Sequence, residues 1–307
     1  MIRWIAVIAM TATGVAIAEP PQRSPVPMTD LLKASPASDW RALEPENVMV
    51  VDLPAGRVVI ELAPDYAPVN VAAVRALVRS GYFDGSFVVR AQDNYVVQWA
   101  RLEEDERAKA MAGKTLKAEF ARPIDSRLPF MRLGYPDTYA PEVGFSAGFR
   151  VARDPKRHRT WLVHCYGSVG VGRDNAADSG NGSELYAVIG HSPRTLDRNV
   201  TIVGRVVQGI ELFSIMPRGT GTLGFYEKPS ERIPIRSVRM MADVPSGERI
   251  DLEALSTESA TFKALVESRA NRREEWFKER AGRIDVCNVP LPVRVKSQDR
   301  GATANAR

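Results

Sequence analysis

Phe87-Val88-Val89-Arg90-Ala91-Gln92-Asp93-Asn94-Tyr95-Val96-Val97-Gln98 is the stretch whose reading decides the fold. A run of aromatic and β-branched residues carrying one Arg reads as a strand, Gln-Asp-Asn as a turn, and the residues after it as a second strand bearing a Tyr and a Gln. About eighty residues later, Asp174-Asn175-Ala176-Ala177-Asp178-Ser179-Gly180-Asn181-Gly182-Ser183 forms a loop of Asn, Gly and Ser that feeds Glu184-Leu185-Tyr186. Together the two segments supply one guanidinium, one amide and an aromatic floor for a groove.

Working outward, Asn47 to Val51 and Arg57 to Leu62 read as strands joined by a Pro54-Ala55-Gly56 turn. Pro68 fits the first turn of a helix, with Val71, Val74, Leu77 and Val78 at helical spacing and Gly81 at the C-terminal cap. Strand character returns at Thr160 to Val163, Leu185 to Ile189, Val200 to Val206 and Ile235 to Met241, with a short helix at Ile210 to Met216. Residues 101–160 read as an irregular insertion, with charged helix-like residues from Glu103 to Lys109 and then Pro123, Pro129, Pro136 and Pro141. Residues 246–307 form an extension whose helix, expected over 257–281, carries Phe262, Leu265, Val266, Trp276 and Phe277 as its apolar stripe and Arg and Glu residues on a solvated face. Several short strands and a few helices point to a mainly β barrel with helices over its ends.

The N-terminus reads as a targeting segment. Arg3 precedes an apolar run of 13 residues from Trp4 to Ala16, and Ala16-Ile17-Ala18 fits a small-x-small cleavage site. That run is shorter than the roughly 18 residues a membrane span needs. Residues 1–18 are therefore expected to be a signal peptide, 19–44 a flexible Pro-rich lead-in, and the mature protein periplasmic or secreted. In such a compartment Cys165 and Cys287 fit either a disulfide or two buried thiols. Neither belongs to a CxxC, and with three His residues no zinc or other metal constellation forms. A net charge of +5 spread along the chain, without a basic stripe, argues against nucleic-acid binding.

The run from Val50 to Gln98 resembles the N-terminal half of a cyclophilin-type peptidyl-prolyl isomerase, in a divergent bacterial exported form. The pattern includes the Ala67-Pro68 helix start, Gly81-Tyr82-Phe83-Asp84-Gly85 and the arginine strand, where Val88-Val89-Arg90 matches the family's phenylalanine-histidine-arginine. Arg173 to Tyr186 is similar to the family's methionine-alanine-asparagine-alanine loop, and Leu196-Asp197 and Val203-Gly204-Arg205-Val206 follow in order. The resemblance covers residues 45–245, interrupted by the insertion. It implies a closed eight-stranded barrel capped by two helices, with the groove on its outer wall.

It also implies isomerisation of Xaa-Pro bonds, here in exported proteins, with no cofactor or metal. Rotation about the bond faces a barrier of about 18–20 kcal/mol because amide resonance is lost as it twists. The twisted prolyl nitrogen regains a lone pair, so a fixed guanidinium aimed at it binds the transition state more tightly than the ground state. By resemblance Arg90 is that group; Tyr95, Val96, Tyr186 and Leu196 line the proline pocket, and Gln98 and the Asn175 backbone hold the peptide. Glu184 stands where the family usually has glutamine, and a carboxylate there is able to pair with Arg90 and compete with substrate. Val89, Thr195, Val200, Asp174 and Trp99 also depart from the family pattern. The alternative reading is a catalytically weak cyclophilin-like module or chaperone that binds proline-containing segments, with the insertion and the C-terminal helix as partner surfaces.

Two other motifs fall away. Gly144-Phe145-Ser146-Ala147-Gly148 matches GxSxG, but a nucleophile elbow needs a strand before and a helix after, and Pro136 and Pro141 precede it inside the insertion. Gly113-Lys114-Thr115 is like the end of a phosphate loop, yet Ala108 stands where the first glycine belongs and no strand leads in.

Overall fold

A computed structural model describes residues 26–296; the expected signal peptide lies outside the described residues. Strands Val48–Leu53 and Gly56–Leu62 form a hairpin with Leu53 opposite Gly56, so Pro54 and Ala55 make the turn. They belong to a nine-stranded antiparallel sheet. Its order is Ile233–Pro234, Phe87–Ala91, Val96–Ala100, Leu185–Val188, Ser168–Val171, Ile202–Gln208, Gly56–Leu62, Val48–Leu53 and Ser237–Met240. The sheet curls around Met49, Val51, Ile60, Leu62, Val88, Val97, Trp99, Leu185 and Val203, all essentially buried. Burying side chains of this size stabilises the fold by about 1.5–3 kcal/mol each before the entropy of ordering them is counted.

The helices Pro68–Arg79 and Ile210–Ser214 pack on this core. The first starts at Pro68, whose missing N–H costs nothing there, and buries Val71, Val74 and Val78; Gly81 follows its end at φ 68°. The second carries Phe213, which stacks on Trp99 with ring centroids 5.3 Å apart. The unusual Trp99 is thus a core filler.

The closed eight-stranded barrel is corrected: there are nine strands, and the sheet remains open. Its edge strands Ile233–Pro234 and Ser237–Met240 do not pair with each other. Pro234 has no N–H to continue a ladder, and the chain leaves one edge for the other across Ile235 and Arg236. The Ile235 N–H donates to Ser86 O (2.8 Å) and the Arg236 N–H to Asp52 O (2.9 Å).

The insertion is not irregular. Arg122–Pro123, Arg159–Leu162, Phe149–Asp154, Glu142–Ser146 and Met131–Leu133 form a five-stranded sheet in that order. Pro123 sits on a two-residue edge strand and Pro129, Pro136 and Pro141 lie between strands, so these prolines delimit the sheet. Ala147 (φ 49°) and Gly148 (φ 87°) make the tight turn between Glu142–Ser146 and Phe149–Asp154. Ser146 is therefore a buried strand residue at a hairpin, without the helix an elbow requires.

Nor is the lead-in flexible over its described part. Met28–Ala34 is a helix with Pro27 at its N-cap, and Met28, Leu31 and Leu32 pack on a second core formed by Trp40, Phe145, Trp161, Phe262 and Leu265. Trp40–Ala42 pairs with Leu252–Leu255, which pairs with Val293–Val295. The expected 257–281 helix is confined to Ala260–Ala270, N-capped by Ser259 Oγ accepting from the Phe262 N–H (3.0 Å). Arg273 and Glu274 occupy the next positions of its inner stripe, so no apolar surface drives the helix onward. Cys165 and Cys287 form a disulfide, which ties the C-terminal extension to the loop after Arg159–Leu162.

Candidate active site

Strict alternation along Phe87–Ala91 would point Arg90 inward with Val88. The register prevents this: Val88 lies opposite Trp99, but Arg90 lies opposite Gln98 and Ala91 opposite Val97. Val89 is the extra residue of a β-bulge, and the bulge turns Arg90 to the outer face while Val88 and Ala91 stay fully buried. The departure at Val89 therefore sits at the backbone feature that aims the arginine.

Three bonds hold the Arg90 guanidinium. Nε donates to Leu223 O (2.7 Å), Nη1 to Gln98 Oε1 (3.2 Å) and Nη2 to Gln92 Oε1. Tyr95 and Phe225 flank it, with ring centroids 5.6 and 5.2 Å from Cζ. Burial lowers its pKa, with Tyr95 pulling the other way, and an arginine so placed remains a cation. Among the described residues no carboxylate forms an ion pair with it, and the pairing open to Glu184 is not made. Gln98 stands between the two instead: its Nε2 donates to Glu184 Oε2 (2.7 Å) while its Oε1 faces Arg90. Cation and carboxylate together orient the amide, which a pairing of side chains across neighbouring strands makes possible (Arg90 opposite Gln98, Gln98 opposite Tyr186). Partial desolvation raises the Glu184 carboxyl above its usual range, the Gln98 bond pulls it down, and Asp174 and Glu103 add to the rise. Its residue as a whole is exposed, so solvent screens much of that shift.

Val96, Tyr186 and Val188 form a small buried apolar cluster, with Tyr95 and Val200 packed against it. Tyr186 crosses Gly170 closely, where any side chain would collide with its ring. The half-buried Leu196, at the end of the 3-10 turn Ser192–Leu196, is not among the side chains packed on this cluster; Val200 takes that place. Asn175 lies on the exposed loop, and its carbonyl accepts from Arg173 Nη1 (3.2 Å). The structure thus gathers Arg90, Tyr95, Val96, Gln98, Glu184 and Tyr186, and leaves Asn175 and Leu196 at the margin.

Beneath the cluster runs a buried polar chain that the sequence did not disclose. The Tyr186 hydroxyl meets His164 Nε2 (2.9 Å), and His164 Nδ1 meets Asp197 Oδ1 (3.0 Å). Arg194 Nε donates to Asp197 Oδ2 (2.9 Å), and its Nη atoms fork onto Asp137. Burial pushes the Tyr186 phenol far up. Burial alone would also raise Asp197, but His164 and Arg194 outweigh it and hold the carboxyl below the usual range. The partners lie 22 and 33 residues from His164, so no local spacing marks them. Leu223 and Phe225 were missed for a similar reason, since they reach Arg90 through an isolated bridge between Arg90 and Phe225, whereas Gln92 is a local neighbour two residues on.

Comparison with known proteins gives a consistent result. A family model described as "Cyclophilin type peptidyl-prolyl cis-trans isomerase/CLD" matches residues 48–240. Curated proteins of Brucella suis and Brucella melitensis, each called "Probable peptidyl-prolyl cis-trans isomerase", are 26% identical over 184 residues, which cover 58% of this chain and 76% of theirs. Among solved structures, the cyclophilin AquaCyp293 from Hirschia baltica is similar in fold, with a TM-score of 0.66 at 24% identity. That likeness covers 84% of this chain and 95% of the other, and so extends beyond residues 48–240.

Proposed function

The chain belongs to the cyclophilin-type peptidyl-prolyl cis-trans isomerase family and is an isomerase of that class, and we propose that Arg90 is the group through which it turns Xaa-Pro bonds. The observation that supports this reading is the bulge-aimed guanidinium, held by three hydrogen bonds and two rings. An arginine has five N–H donors, so two remain for a substrate. When the amide twists, the prolyl nitrogen gains a lone pair that such a donor can meet without rearrangement. A charge-assisted bond of about 1.5–3 kcal/mol made only in the twisted state is worth one to two powers of ten in rate. Tyr95 and Val200, partly exposed above the buried Val96–Tyr186–Val188 cluster, receive the proline ring. The Gln98 amide, fixed between Arg90 and Glu184, and the Asn175 backbone hold the flanking peptide, with Leu196 at the rim.

Prolyl exchange in a short Ala-Pro peptide, followed by NMR, tests the proposal. Arg90→Ala should slow catalysed exchange about ten- to a hundredfold; an unchanged rate would show that Arg90 is not the acting group. The substrates on this reading are exported proteins, in a periplasmic or secreted setting. The support is the Trp4–Ala16 run followed by Ala16-Ile17-Ala18. Mass spectrometry of the chain expressed in a bacterium should find Glu19 at the N-terminus, and an intact Met1 would remove the basis for that setting.

One observation favours the second reading, a module that binds proline-containing segments with little turnover. Gln92 and the Leu223 carbonyl already occupy part of the guanidinium, and Phe225 covers one side of it. Peptide binding without faster exchange would select this reading.

A further inference from the structure

The segment after helix Ala260–Ala270 differs from the rest of the surface. Residues 271–284 form no regular element, and Trp276 within them is 80% exposed, whereas Trp40, Trp99 and Trp161 are 9, 0 and 2% exposed. The Trp276 ring packs edge-on against Phe277, with centroids 4.8 Å apart. Arg272 lies 3.8 Å over the Phe277 ring and is paired with Glu274 (2.9 Å). Within residues 271–284 the chain carries five basic and three acidic side chains. Arg272 already neutralises one of those acids within the segment.

The start of the described chain lies beside it. Ser268 Oγ donates to the Val26 carbonyl (2.7 Å), and helix Met28–Ala34 packs along Ala260–Ala270.

We propose that this Trp-and-Arg face docks on an anionic lipid surface. An indole ring is stable at headgroup depth, where its apolar body and polar N–H are both accommodated. Surplus Lys and Arg beside it draw the protein to acidic headgroups. A protein partner fits less well. A standard interface buries roughly 800 Å² on each side around an apolar centre, and the exposed large hydrophobics at this end are Trp276 and Val26.

The test uses the chain from Glu19 onward, which lacks Trp4 and its apolar run and leaves Trp276 as the exposed tryptophan among the described residues. Vesicles of phosphatidylglycerol and phosphatidylethanolamine should shift its emission to the blue, and brominated acyl chains should quench it. Phosphatidylcholine vesicles should bind at least about tenfold more weakly, and about 0.5 M salt should release the protein. Lys278→Ser with Arg280→Ser and Arg283→Ser should weaken quenching at least about tenfold, again with Trp276 as reporter. Isomerase activity should not change. Equal quenching in neutral vesicles, or by the triple variant, would overturn the proposal. A blue shift that grows with protein concentration in the absence of vesicles would reassign the face to a second copy of the chain.

Discussion

Two hydrogen-bonded chains meet at the candidate pocket, and they are built in opposite ways. Arg90–Gln98–Glu184 runs along the outer face of the sheet, ends in a solvent-reached carboxylate and rests on a single amide. Tyr186–His164–Asp197–Arg194–Asp137 runs beneath the pocket, almost wholly out of water, with fixed partners at every step. A partly solvated chain can change partners when a substrate arrives, because water compensates each lost bond. The dry chain has no such freedom, and an unpaired group there costs its full desolvation. The outer chain is suited to chemistry and the inner one to holding the floor.

The sharpest way to break this comparison is to cut the inner chain. Asp197→Ala strips partners from both His164 and Arg194 and should cost about 3–5 kcal/mol in urea unfolding. A loss below about 1 kcal/mol would mean that the inner chain is not the rigid one. Arg90→Lys cuts the outer chain instead. It keeps the charge but removes the fork that grips Leu223, Gln98 and Gln92, and should lower the exchange rate at least about tenfold with stability changed by less than about 1 kcal/mol. Tyr186→Phe keeps the ring and orphans His164 Nε2. About 1–2 kcal/mol of stability should be lost, with catalysis within a few-fold of wild type.

Acid separates the two chains by sign. Asp197 has a depressed carboxyl in the fold, so its stabilisation is present above the ordinary carboxylate range and disappears as pH falls through its lowered value. Glu184 is raised, so the folded state takes up its proton first, and stability falls as pH rises from the ordinary carboxylate range to the raised value. Asp197→Asn should flatten the acid limb of a stability profile, and Glu184→Gln the small opposing slope just above it. The smallest effect belongs to that second variant. A glutamine can still accept from Gln98, so exchange should stay within about twofold of wild type; a large gain would mean that the carboxylate competes for Arg90 after all.

Much of the nine-stranded sheet was legible in the sequence, because runs of β-branched and apolar residues bounded by turn residues mark strands locally, even where burial is continuous along them. The Val48–Leu53 hairpin, the helix from Pro68 and the Arg90 strand follow from such signals. The five-stranded and three-stranded sheets were hidden because their strands are short and punctuated by prolines, and because some of them pair far along the chain: Trp40 meets Leu255, and Arg122 meets Thr160. At the site, residue types named Arg90, Gln98 and Tyr186, but the bulge at Val89 is a register property, and no residue pattern announces it. His164 was weighed only as a metal ligand and set aside, since its partners are brought to it by the fold.

The three-stranded sheet places the strand of residues 40–42 against residues 252–255, and these against residues 293–295. The early strand thus stays without its partner until some two hundred further residues exist, and the bond to Cys287 cannot form before the extension emerges. Cys165 adjoins His164 in sequence, so the floor of the pocket is fastened last. Such distant pairing slows folding, and the pocket is complete only once residues 252–255, Cys287 and residues 293–295 have joined it.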